Sequence, residues 1–167
     1  MTPLDPNIVI PAVTGIVGAF VGAVSSFVPN MINDYFKNKR ESKILEAVLI
    51  SEIQALVEVA EARKYVQGLE QVCAYLATQP TETTYPINVG IPEHYSRIYQ
   101  ANAHKLGIIN RRTAVDIIRF HQFADAVAQD VRPGGTFSEG GTLEGIQEAL
   151  EILRQALDTG RNLSSRT

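Results

Sequence analysis

The chain has 167 residues, of which 45% are hydrophobic and 20% charged, and it contains a single cysteine. This length allows one modest domain and one further segment, and a lone cysteine excludes an internal disulfide. The formal net charge is −3, and Asp5 and Asp34 carry two of those charges, so residues 37–167 are almost balanced. Because phosphate binding needs a concentrated basic face, we expect no nucleic-acid partner.

Residues 1–36 are predicted to form a short tail and a transmembrane anchor. No charged residue occurs between positions 6 and 33, and the apolar run 8–28 would span about 31 Å as a helix, close to the thickness of a bilayer core. Only Asp5 flanks the run on one side, whereas a basic juxtamembrane group follows it, so the positive-inside rule places the C-terminal part in the cytoplasm. The basic residues are Lys37, Lys39, Arg40 and Lys43.

Small residues recur within this apolar run at the spacing that lets two helix backbones approach closely in lipid. We therefore predict that copies of the helix pack together in the bilayer and that the protein is a homo-oligomer. Two alternatives remain: Gly and Ala are common in any spanning helix, and the run could be a buried helix of a soluble assembly. The predicted contact residues are Gly18, Gly22, Ser26, Ala19 and Ala23.

Residues 37–79 are predicted to form the basic juxtamembrane segment and a long stalk helix. Positions 41–79 contain no proline and one glycine, and apolar residues from Leu45 to Leu76 keep a spacing near 3.6. Cys73 lies on this stripe and is expected to be a small core hydrophobe. Residues 80–92 contain three prolines and predict a loop, interpreted as a connector packed on the helices or, alternatively, as a functional loop.

Residues 93–160 are predicted to supply the remaining helices, and 161–167 a polar tail that frays. One helix should end at Gly107, the next should be capped by Asn110 and end before Pro133, and the last should run from Thr142 to Gly160. With the stalk, this makes about four helices. The predicted fold is therefore all-α: one transmembrane helix followed by an up-and-down bundle.

No catalytic or metal-binding motif is present, so we predict neither an enzyme nor a metal or cofactor. His94, His104 and His121 form no ligand pair. Asn102 lies on an apolar helix face and predicts a buried amide that sets the packing register or contacts a ligand. His121 is expected to be a partly buried core histidine with a hydrogen-bonded neighbour.

One pattern resembles uncharacterised short bacterial and phage-borne membrane proteins. It reads Tyr95-x-x-Ile98-Tyr99-x-x-Asn102-x-x-Lys105-Leu106-Gly107-Ile108-Ile109, followed by Ile117-x-x-Phe120-His121. The resemblance covers roughly residues 95–131. It implies a single-span protein of the bacterial inner membrane with its N-terminus outside and a small helical domain in the cytoplasm. That group has no activity to carry over, so no functional residue is transferred.

Three hypotheses about function follow. The first is a self-associating, non-catalytic membrane protein whose helical domain binds a protein partner or responds to a signal at the cytoplasmic face. The second is a holin-like or defence-type pore former, because a small uncharged Gly-rich span that oligomerises could permeabilise a membrane. The third is a membrane regulator that binds a small ligand through the loop and Asn102.

Overall fold

The structure is a computed structural model that describes residues 37–166, and residues from Ser42 onward form one compact unit. The predicted span lies outside the described residues. So do its predicted packing residues Gly18, Ala19, Gly22, Ala23 and Ser26. Between residues 37 and 166, no helix is both long enough and apolar enough to cross a membrane.

Five α-helices and one 3₁₀ helix build residues 37–166, and this part of the chain contains no β-strand. The predicted all-α class is therefore confirmed. The first helix, α1, covers residues 37–62. The others are α2 (Tyr65–Leu76), α3 (Arg97–Asn102), the 3₁₀ helix η1 (Ala103–Ile108), α4 (Arg111–Val131) and α5 (Leu143–Ser164).

The predicted stalk helix is interrupted by a turn at Arg63 and Lys64. Lys64 has a φ of 56°, in the left-handed region that ends a helix, and α2 begins at the next residue. One uninterrupted helix over 41–79 is therefore wrong. Apolar spacing did not reveal the turn because buried positions continue at helical intervals on both of its sides.

A close helix crossing is centred on Gly160, where α1, α4 and α5 meet. A Cβ atom at this position would lie 2.6 Å from Val57 Cγ2, 3.0 Å from Phe120 Cε2 and 3.1 Å from Ile53 Cγ2. Gly160 was predicted to end α5, but the helix continues to Ser164. That prediction is wrong because a glycine required for close packing and a glycine that ends a helix look alike in sequence.

The predicted polar tail is helical through Ser164 and packs on the bundle. Leu163 is only 1% exposed, because it continues the buried stripe of α5. Beyond the helix, Arg166 forms an ion pair with Asp116 near the start of α4, so α4 and α5 are antiparallel. A frayed tail is therefore wrong for residues 161–166.

The directions of the helices follow from their side-chain contacts. Thr113 Oγ1 donates a hydrogen bond to Glu46 near the start of both α4 and α1, whereas Phe120 and Val57 meet farther along both helices. Helices α1 and α4 are therefore parallel.

Ion pairs give the direction of α2 in the same way. Glu61 at the end of α1 pairs with Arg161, and Glu70 in α2 pairs with Arg154. Later residues of α1 and α2 thus contact earlier residues of α5, so both helices run antiparallel to α5. Helices α1, α2 and α4 therefore share one direction, which a simple up-and-down bundle does not have.

The chain returns from α2 to α4 through a largely extended connector. Tyr85 and Gly141 form an isolated antiparallel bridge, the Ile87 N–H donates to the carbonyl of Phe137, and the Val89 N–H donates to that of Val131. Helix α3 and η1 complete this return path, in place of the single helix expected over residues 93–107.

Candidate functional site

An apolar cavity of about 620 Å³ lies between the end of α1, α2, the connector, α4 and α5. Its volume is within the range of small-molecule sites, which is about 300–1,000 Å³. The floor consists of side chains that are buried in the core, namely Phe120, Val127, Leu153 and Leu157. The cavity thus begins in the hydrophobic core.

The cavity exists because small residues occupy key positions on the helices around it. Ala124 and Ala128 are one turn apart on α4, Ala156 faces them from α5, and Gly68 lies on α2. A Cβ atom added at Gly68 would meet no atom within 4 Å. Larger side chains at these positions would fill the space that the helix packing leaves.

The connector forms another wall of the cavity. Residues 85–92 line it, and their backbone hydrogen bonds to the α4–α5 loop hold them against the bundle. Ile87 is 9% exposed and belongs to the core, whereas Tyr85 and Asn88 are exposed at the rim. The sequence interpretation of residues 80–92 as a connector packed on the helices agrees with this placement.

Two cations occupy the rim at the turn between α1 and α2. Among the described residues that line the cavity, Arg63 and Lys64 are the charged ones. Both side chains are exposed, and neither forms an ion pair with any residue in the range 37–166. Arg63 Nη1 donates a hydrogen bond to Tyr65 Oη at 3.2 Å. The rim is therefore electropositive.

His121 lies in the core between α4 and α3. Its ring is 0% exposed and stacks on Tyr99, with ring centroids 3.8 Å apart and an interplanar angle of 14°. Neither ring nitrogen has a hydrogen-bond partner among the described residues, so the expected hydrogen-bonded neighbour is wrong. Burial lowers the pKa of His121 to about 4, which the Asp125 carboxylate partly opposes. The ring is thus neutral at physiological pH.

Tyr95 is a polar group that lines the cavity and already has a partner. Its hydroxyl donates a hydrogen bond to Asp125 on α4. Burial is the main cause that raises the pKa of Tyr95, and the carboxylate of Asp125 adds to it. The phenol therefore stays protonated and fixes the short segment between the connector and α3 to α4.

Asn102 lies away from the cavity. It is half-buried, and its Nδ2 donates a hydrogen bond to the carbonyl of Ile98 on the same helix, at 2.9 Å. The neighbouring polar group that does join distant parts of the chain is Glu52. Its carboxylate accepts hydrogen bonds from the N–H groups of Ile98 (2.7 Å) and Tyr99 (2.8 Å). Sequence reasoning missed this cap because its partners are about 46 residues apart.

The basic residues that were predicted to be juxtamembrane lie on the first two turns of α1, where the structure describes them. All four are exposed: Lys37, Lys39, Arg40 and Lys43. Their contact with lipid head groups stays a prediction.

The remaining candidates from the sequence do not converge on a site. His94 and His104 are exposed, and Cys73 is buried, where desolvation raises the pKa of its thiol. The prediction that Cys73 is a core hydrophobe is confirmed. Within residues 37–166, no group of three or more His, Cys, Asp or Glu side chains could hold a metal ion.

Comparison with known proteins gives no relative. No family model matches the chain, and no curated protein or solved structure is detectably similar to it.

Proposed function

We propose that the protein is a non-catalytic, membrane-anchored module whose helical domain binds an apolar small molecule. The observation that carries the proposal is the cavity of about 620 Å³. Small-molecule sites are concave clefts of about 300–1,000 Å³ that are lined mainly by apolar side chains. A cavity of this size, continuous with the core and surrounded by small residues, is therefore typical of a binding site.

Binding would connect parts of the domain that otherwise touch little. Helix α2 packs on α5 through contacts such as the Glu70–Arg154 pair, whereas the cavity separates α2 from α4. A molecule that fills this space would contact α2, the connector and α4 together. It would thereby stabilise the direction of α2 beyond the turn at Lys64, which gives the module a means of responding to a ligand.

The anchor belongs to the same proposal and is supported by the sequence. The uncharged run over positions 6–33 is followed by exposed basic residues at the start of α1. Self-association in the bilayer and a cytoplasmic protein partner are part of this proposal too. Carbonate washing of membranes tests the anchor, because release of the protein into the supernatant would contradict it. Entry of a membrane-impermeant dye upon expression would instead favour the pore-forming alternative.

Photocrosslinking tests the cavity in the full chain within its membrane. Single-chain aliphatic probes that carry a diazirine are irradiated with membranes containing the protein, and crosslinked residues are located by mass spectrometry. We expect crosslinks on the cavity wall of α4 and on α2. Ala128→Phe should remove them by filling the cavity, whereas Ala55→Phe at an exposed site of α1 should not. Absence of crosslinks at the cavity with every probe would refute the proposal.

A further inference from the structure

We infer that the ligand of the cavity is an anionic amphiphile with a single acyl chain, whose head group binds Arg63 and Lys64. This inference rests on the proposed function, because it assumes that the cavity binds an apolar molecule. The acyl chain of the ligand would lie along the apolar walls of the cavity, and its carboxylate or phosphate would remain at the rim, where it is accessible to water.

The shape of the cavity favours an elongated chain. Its wall on α4 runs from Phe120 to Val131, which at the rise of an α-helix is about 16 Å. The lining along this wall consists of Phe, Ala and Val side chains without a polar group. An extended acyl chain of medium to long length has matching dimensions and needs no hydrogen-bond partner along its body.

The charge at the rim favours an anionic head group. Arg63 and Lys64 are adjacent in sequence and exposed, and no carboxylate lines the cavity among the described residues. Two acidic residues on the helices that line the cavity have other partners: Glu61 pairs with Arg161, and Asp125 accepts from Tyr95. A guanidinium and an ammonium next to each other can hold a carboxylate or phosphate through charge-assisted hydrogen bonds.

The backbone conformation supports the role of Lys64. A residue in the left-handed region is usually Gly or Asn, and lysine there is strained. The α2 helix that starts at the next residue has no acidic residue in its first turn, so the positive end of its dipole adds to the two cations. A cationic alkyl ligand would be repelled at this rim, and a neutral one would gain nothing from it.

The test compares three diazirine probes with the same alkyl chain in membranes that contain the full-length protein. The probes are a fatty acid, the corresponding fatty alcohol and the corresponding alkyl amine, used at slightly alkaline pH. We expect the acid to label the cavity wall about 5- to 10-fold more than the alcohol, since the rim is exposed and solvent weakens its ion pairs. The amine should label it least.

Variants that remove charge test whether Arg63 and Lys64 cause the preference for the acid over the alcohol. The double variant Arg63→Gln/Lys64→Gln should reduce labelling by the acid to the level of the alcohol. The matched control Arg111→Gln/Arg112→Gln removes an adjacent, exposed basic pair that does not line the cavity, and it should keep the preference for the acid. Labelling by the alcohol serves as the folding control, because it should survive in both double variants.

The outcomes separate the inference from the proposed function. Equal labelling by the acid, the alcohol and the amine would contradict the inference that the ligand is anionic, but it would not contradict the proposal that the cavity binds an apolar molecule. Absence of labelling with all probes would overturn both the inference and the proposed function. In that case a photoreactive amino acid introduced into residues 1–36 tests that segment, and its crosslinks to the cavity wall would identify it as the occupant instead. Unlabelled fatty acid and lysophosphatidic acid are then used as competitors. Competition by the former alone would identify a carboxylate ligand, and by the latter alone a phosphate lipid; equal competition by a neutral monoacylglycerol would contradict the inference.

Discussion

A methyl group added at Gly160 should have the opposite effect on stability from one added at Gly68. Both glycines lie inside helices, so replacement by alanine should contribute about 1 kcal/mol through helix propensity at either site. At Gly68 a Cβ atom meets nothing within 4 Å, so Gly68→Ala should raise the free energy of unfolding by about 0.5–1 kcal/mol.

At Gly160 the packing term opposes this gain. The new Cβ would lie 2.6 Å from Val57 Cγ2 and 3.0 Å from Phe120 Cε2, and Val57 cannot turn away easily, because a β-branched side chain has one favoured rotamer in a helix. Overpacking of this kind costs about 1–3 kcal/mol. The two variants should therefore differ by about 1–3 kcal/mol, with Gly160→Ala the less stable.

Urea denaturation of the full chain in mild detergent, followed by far-ultraviolet circular dichroism, measures this difference. Val57→Ala should cost less stability in the Gly160→Ala background than in the parent protein, because it removes the methyl group that is closest to the new Cβ. A coupling of about 1 kcal/mol between the two substitutions is expected. If Gly160→Ala stabilises the protein as much as Gly68→Ala does, the close crossing of α1, α4 and α5 is not present in solution.

Three further predictions concern other parts of the domain. The free energy of unfolding should fall by on the order of 3 kcal/mol as the pH is lowered from about 6.5 to about 4, because His121 takes up a proton at a higher pH in the unfolded chain than in the folded one. His121→Phe should remove this component from the pH dependence of unfolding. Glu52→Ala should cost about 1–2 kcal/mol and speed amide exchange at Ile98 and Tyr99, whereas unchanged exchange would contradict the capping role. Lys64→Gly should raise the free energy of unfolding by about 1 kcal/mol, because glycine adopts the left-handed conformation without the steric cost that lysine has there, and it should weaken labelling by the fatty-acid probe. A loss of stability would show that the turn does not depend on the backbone conformation at this position.

Local features of the fold could be predicted because their causes lie within a few residues. The Asn110 side chain accepts from the N–H of Arg112, and that of Thr142 accepts from the N–H of Gly145, as expected at the starts of α4 and α5. Helix α4 ends at Val131, directly before the Arg-Pro-Gly-Gly segment. Apolar periodicity likewise identified the buried faces and the burial of Cys73.

The candidate site could not be predicted because it depends on contacts between distant segments. In the sequence, the alanines at 124, 128 and 156 look like ordinary helix residues. They leave a cavity only because α2, after the turn at Lys64, packs along α5 and not against α4. The basic pair at residues 63 and 64 becomes a candidate binding site only because the structure places it at the rim of that cavity. In the sequence it is one of several charged pairs on a helix surface.

The sequence by itself determined the all-α class, the capped starts of α4 and α5, and the faces that enter the core. The tertiary structure alone decided that Gly160 joins three helices, that Glu52 caps α3, and that an apolar cavity opens beside two cations. The physical reason is one of range. Capping and amphipathic spacing act over three or four residues, whereas a cavity, a crossing and a long-range cap exist only after the directions of the helices are set.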